Sequence, residues 1–219
     1  MSYIISGIPL YVGLLLMRER SQFFSSLGLN GSLKKGILFP LLVTTPMLIG
    51  YAMVFRWNEQ ITADDILISA VAAAFFEELF FRGFLFGMVY RFTKFGFIPA
   101  ILPGAVLFGL VHLYQSSDLL SALGVFLVTF LGALLFAWLY AEWNYNIWVP
   151  VFLHFFMNLF WMLFDAGDNA LGGIYANIFR FTTIASVLIG TIVYKRKSGL
   201  TFEVSGKTLW IKKNSSLYS

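Results

Sequence analysis

The chain has 219 residues, of which 59% are apolar, 19% aromatic and only 12% charged, with a net charge of +4. A soluble domain carries roughly twice that charge, so the composition excludes an ordinary soluble fold and points to a polytopic membrane protein. The absence of cysteine removes disulfides, thiol nucleophiles and Cys-ligated metals, and the basic residues sit in short loops between apolar runs, as membrane orientation requires and nucleic-acid binding does not.

The N-terminus has no basic residue before its apolar run and no small-residue cleavage site after it. It reads as a retained, short membrane segment. In chain order, apolar runs predict about seven spans: about 3–17, 36–55, 66–90, 97–114, 119–141, 147–164 and 174–194. The first is short, so six spans is the alternative. The fold class is all-α, a membrane helix bundle over 1–194 followed by a polar, basic tail over 195–219. Within the tail, TFEVSGKTLWIKK alternates around Ser205-Gly206, which fits either a small hairpin or a loose basic tail on an anionic leaflet.

Basic residues sort to one end of the predicted spans. Arg18, Arg20, Lys34 and Lys35 follow the first span, Arg91 and Lys94 the third, and Lys195, Arg196 and Lys197 the last. Glu59, Asp64, Asp65, Asp118, Asp165 and Asp168 occupy the other end, with Arg56 the exception. This predicts a cytoplasmic C-terminus in a cell membrane. The loop near Glu142 to Asn146 falls at the basic end but carries no Lys or Arg.

The third span holds three ionisable groups in AAFFEELFFRGF: Glu77, Glu78 and Arg82. Each charge at a helix centre costs about 2.5–3.5 kcal/mol, so three unpaired groups would cost roughly 8–10 kcal/mol. Glu78 and Arg82 are four apart on one face and can pair, which suits a packing role as well as a functional one. Glu77 is rotated by about 100° and needs another partner or water. The two histidines of the chain both fall in spans, in LFGLVHLY (His112) and VFLHFFMNLF (His154). Phe108 and Asn158 share faces with them at a spacing of four. A carboxylate can take a proton from water, a histidine can orient that water or protonate a leaving amine, and an asparagine with a histidine can donate to an oxyanion.

Other features read as structural. Ser69 and Ser116 are hydrogen-bonding serines, since no GxSxG occurs. Gly83 and Gly87 allow close helix approach. Pro99, Pro103 and Pro150 mark span starts and can bend them. Arg180 is expected to snorkel to the membrane surface, and Trp143 and Trp148 to sit in an interfacial belt.

Together, EELFFR (77–82), FGLVH (108–112) and HFFMN (154–158) match the pattern EExxxR, FxxxH and HxxxN on successive apolar helices. This pattern resembles the CAAX protease and bacteriocin-processing family, also called Abi, which includes the Ras-converting type of CAAX prenyl endopeptidase. The resemblance covers about residues 66–164 and implies an intramembrane endopeptidase. It implies that Glu77 activates water, that His112, His154 and Asn158 assist the water and the oxyanion, and that Glu78 and Arg82 support them, with Phe108 as a pocket wall. Both metal-dependent and metal-free mechanisms have been described for the family. There is no HExxH here, and the metal-free reading is favoured; Glu77, His112 and His154 would be the ligands of a zinc ion. The partners expected are the lipid bilayer and a peptide or lipidated-protein substrate, with no nucleic acid. A non-catalytic peptide-binding, immunity or scaffold protein using the same cavity is the alternative, and a proton or ion carrier the third reading.

Overall fold

The computed structural model describes residues 20–212, together with Ile8 and Val12. The predicted span over 3–17 therefore lies outside the fully described residues. Among those described the fold is helical, in the order α1 (Arg20–Ser26), α2 (Leu33–Val43), α3 (Thr45–Val54), α4 (63–92), α5 (Phe97–Val111), α6 (Leu119–Glu142), α7 (Trp148–Leu163) and α8 (Ile174–Lys197). A short 3₁₀ turn, Leu113–Gln115, extends α5. The chain is a polytopic membrane helix bundle. By length and composition α5 with its turn, α6 and α8 each suffice to cross a bilayer, and α2 with α3 does so as a bent pair.

The predicted span over 36–55 is two helices that meet at Thr44 with a bend of 40°. Pro46 in the first turn of α3 suits a helix start, and the Thr44 hydroxyl donates to Pro40 O at 2.7 Å. The span over 66–90 is one long helix of mixed geometry. It is α-helical at Ala73–Glu77 and Gly87–Phe92, but π-helical at Ile66–Ala72 and Glu78–Phe86. The N–H groups of Ala73 and Gly87 reach back five residues, to Ile68 O and Arg82 O. The change from α to π winding falls between Glu77 and Glu78.

Lipid tails are as apolar as leucine, so helix association rests on close packing and buried polar contacts. Gly36 of α2 lies directly against Trp148 of α7, and Gly50 of α3 against the Phe179 ring of α8. A methyl group at either position would collide. Outward residues such as Leu42, Met53, Leu119 and Ile189 are exposed, as lipid contact requires.

At the acidic end, Asp118 caps α6 by accepting from the N–H groups of Leu120 and Ser121, both at 3.0 Å. Its hydrogen bonds, first that to Ser121, hold its carboxyl below the usual carboxylate range. The cap is therefore present at neutral pH and lost as pH falls through that lowered value.

At the basic end, residues 200–212 fold back onto the bundle. The tail pairs with the segment before α5, where Gly96 N–H donates to Trp210 O, Phe97 N–H to Thr208 O and Ile98 N–H to Leu209 O, all within 2.8–2.9 Å. These bonds satisfy N-terminal donors of α5 that the helix cannot. Glu142, 3% exposed, accepts from the tail N–H groups of Glu203 and Val204 and pairs with the Lys195 ammonium. The loop 143–147 is likewise covered. Asn146 donates to Ser32 O, Ile147 N–H to Gly28 O, and the Trp148 indole to Leu29 O. The loop that lacked Lys and Arg is thus roofed by polypeptide rather than facing headgroups. Trp143 and Trp148 are correspondingly turned inward, not placed in an interfacial belt: the Trp143 indole donates to Thr191 Oγ1 at 3.1 Å, and its ring stacks on Tyr194 at 4.5 Å.

Glu142→Ala strands the buried Lys195 and two tail N–H groups. We expect it to cost about 3–5 kcal/mol, the scale of breaking a buried pair, read as a lowered unfolding temperature in detergent.

Candidate functional site

The seven residues singled out in the sequence all line one cavity of about 700 Å³. Glu77, Glu78 and Arg82 come from α4, Phe108 and His112 from the end of α5, and His154 and Asn158 from α7. The α6 and α8 helices complete its walls.

Glu78 is fully buried, and its Oε1 lies 2.8 Å from His154 Nδ1 and 3.0 Å from Arg82 Nη1. The first contact is a hydrogen bond, with His154 Nδ1 donating. The second is ionic without hydrogen-bond alignment, because Arg82 Nη1 and Nε and Glu78 Oε2 make no hydrogen bond. Arg82 is instead held between two rings. Its guanidinium carbon lies 4.5 Å from the Phe108 centroid and 5.2 Å from that of Phe136. Cation–π contact replaces part of the hydration that burial removes. Phe136 also meets the His154 ring edge-on at 5.6 Å. Phe108 is therefore more than a pocket wall, since it touches both Arg82 and His112, whose ring is 4.4 Å away.

Glu77 differs from its neighbour. It is half-buried, lines the cavity and makes no hydrogen bond or ion pair among the described residues. Helical rotation separates the two carboxylates: one is paired inside the bundle, the other lines the cavity.

The histidines present defined nitrogens. His112 Nδ1 lies 2.6 Å from Phe108 O, so it carries the proton, and neutral Nε2 is an acceptor. His154 Nδ1 is committed to Glu78, and its Nε2 donates when the ring carries both protons. Asn158 Nδ2 gives one N–H to Ser69 O at 2.9 Å, which ties α7 to α4 and leaves a second N–H. Ser69 contributes its carbonyl there, in keeping with a structural role.

These residues share a cavity although their helices are unequal. Measured at 1.5 Å per residue, Glu77 and His112 lie about 22 Å from the basic ends of their helices, and His154 about 9 Å. At the start of α7 the covered loop 143–147 packs against the segment 28–32. The loop segments Tyr114–Gln115 and 167–170 line the cavity at the acidic end, and Gln115 Oε1 accepts from Ala170 N–H at 2.8 Å. On the α6 and α8 walls, Leu131 and Phe181 are exposed. Those two helices are joined at the basic end by the Trp143–Thr191 and Glu142–Lys195 contacts.

Among the described residues no three His, Asp or Glu side chains form a metal-ligating group.

Residues 59–160 match the family model described as "Type II CAAX prenyl endopeptidase Rce1-like". Through this segment the chain is similar to the CAAX prenyl endopeptidases of that description. The match contains all seven residues and runs from the loop before α4 to near the end of α7. A second comparison finds 41% identity over 95 residues with "Putative membrane peptidase YdiL" of Bacillus subtilis (strain 168), covering 43% of this chain and 34% of that protein. The match thus spans about a third of that relative. No solved structure matches the chain.

The cavity also holds residues that the sequence motifs do not mark. Phe136 is one, an apolar residue in an apolar helix that carries no sequence signal. Arg180 is another. It does not snorkel to the surface: it is 8% exposed, lines the cavity, and its guanidinium carbon sits 4.5 Å from the Trp161 ring. The signal was present as a lone cation in an apolar span.

Proposed function

We propose that this chain is an intramembrane endopeptidase that hydrolyses a peptide bond with water activated by Glu77. The observation that carries the reading is the division of labour between adjacent carboxylates: Glu78 is spent on Arg82 and His154, whereas Glu77 faces the cavity uncommitted.

In this reading water sits between Glu77 and His112. Glu77 takes one proton, and the His112 Nε2 lone pair accepts a hydrogen bond from the other. The water oxygen attacks the carbonyl carbon, and the carbonyl oxygen becomes an oxyanion. The free N–H of Asn158 and the Nε2–H of His154 stabilise it. The C–N bond then breaks, and the proton held by Glu77 passes to the leaving amine. One water is consumed, and one acid and one amine are formed. The buried, low-dielectric surroundings strengthen each of these contacts.

The apolar wall between α6 and α8 suits a substrate that arrives from the bilayer: a lipidated C-terminus, a leader peptide or a membrane-protein segment. The basic residues at the end of α8 favour a cytoplasmic C-terminus in the cell membrane.

The test is cleavage of a membrane-peptide reporter by the purified protein in proteoliposomes. Asn158→Ala lowers kcat by about 10²–10³-fold, the value of one oxyanion donor, with KM little changed. Its lost bond to Ser69 costs only about 1 kcal/mol of stability. An unchanged kcat removes Asn158 from the oxyanion site.

A further inference from the structure

Arg180 is a buried cation that the chemistry above does not use. It projects from α8, outside the segment matched to the family, and lines the cavity opposite α4. It is more than nine-tenths buried, and its Nη1 is fully buried with no hydrogen-bond partner. Among the described residues no carboxylate comes within ion-pair distance. Asp168 lines the same cavity but is exposed and makes no ion pair with it. The nearby Tyr51 hydroxyl donates to Ala176 O at 3.0 Å. Only the Trp161 face meets the guanidinium, at 4.5 Å, and the Trp161 indole is anchored in turn by Gly167 O at 2.8 Å.

Each other buried cation among the described residues has a partner. Arg82 has Glu78, Lys195 has Glu142, and Lys212 has Tyr90 O. A guanidinium held rigidly on an indole, with a free donor edge inside a cavity, is built to take an anion from outside the chain. The fork of N–H donors fits the two oxygens of a carboxylate.

We propose that Arg180 is a specificity residue that binds a carboxylate of the substrate, either a free C-terminus or an Asp or Glu side chain near the scissile bond. This inference rests on the peptidase reading, because it assigns the occupant of the same cavity. It explains why a membrane cavity keeps a cation without a counter-ion: the substrate supplies one. Arg180 acts on binding and register, not on the reacting atoms.

The test separates binding from turnover. Glu77→Gln protein in nanodiscs is titrated with four probes: an apolar hexapeptide with a free C-terminal carboxylate, the same peptide as its amide, and two amide-capped versions carrying one Asp or one Asn. Binding is read calorimetrically. A carboxylate form binds on the order of tenfold to a hundredfold tighter than its neutral twin, the scale of a hydrogen bond to a charged group. The acid–amide pair and the Asp–Asn pair show which source the site takes. Adding Arg180→Gln abolishes the preference, and Arg180→Lys retains part of it. A purely structural role would weaken all four probes together and leave their ratios unchanged. Equal affinity for charged and neutral probes in the protein that retains Arg180 overturns the inference, whatever the variants do. An Arg180-dependent preference in a protein whose wild type cleaves nothing would sink the peptidase reading and leave the anion site standing.

Discussion

Glu77→Gln lowers the rate of peptide cleavage by about 10²–10⁴-fold, the contribution of a positioned general base, and leaves the unfolding temperature of the bundle nearly unchanged. Both halves of that result follow from one placement. The Glu77 carboxylate touches the cavity and, among the described residues, makes no hydrogen bond or ion pair. The amide of Gln is nearly the same size and cannot take a proton. No buried partner is stranded by the change, so the fold loses nothing. A binding or scaffold protein would keep most of its function in this variant. Measuring kcat and thermal unfolding on the same preparation reads both halves at once.

Glu78→Ala behaves in the opposite way. It removes the ion-pair partner of Arg82, which is 1% exposed, and the carboxylate to which His154 Nδ1 donates. Breaking a buried pair from one side costs about 3–5 kcal/mol, because the remaining charge stays in low dielectric. Activity falls too, since His154 loses the group that sets its ring orientation. Arg82→Met in the same background recovers part of the stability by removing the stranded cation, as replacement of both partners by apolar groups does elsewhere. It does not recover activity, because His154 remains unheld. Thermal unfolding of the single and double variants checks the first statement, and kcat the second. Equal stability of Glu78→Ala and wild type would mean that the triad is not energetically coupled.

The contrast between these two adjacent residues was partly legible in the sequence. A spacing of four gives the Glu78–Arg82 pair, and rotation sets Glu77 apart. The sequence did not contain the reason the two carboxylates separate so fully. That reason is tertiary: Arg82 and His154 close around Glu78, whereas Glu77 is turned to the cavity. Spans were readable wherever apolar runs were long. The break at Thr44 was not, because Leu, Val and Thr continue the apolar run through it, and only Pro46 marks the new helix start. The missing Lys and Arg near Glu142 to Asn146 were the trace of a loop covered by polypeptide. Arg180 shows the limit of reading one helix at a time. A cation near a span end ordinarily snorkels, and only the tertiary position of Trp161 turns it inward.

Peptide-bond hydrolysis in the Glu77 cavity is directly measurable. Purified wild-type and Glu77→Gln proteins, each in proteoliposomes, should be incubated with a library of membrane-soluble peptides, and the new termini identified by mass spectrometry. The account predicts defined new C-termini and N-termini with the wild type, and their near disappearance with Glu77→Gln. Equal amounts of the same cleaved products from both proteins, or an uncleaved library with the wild type, would contradict it.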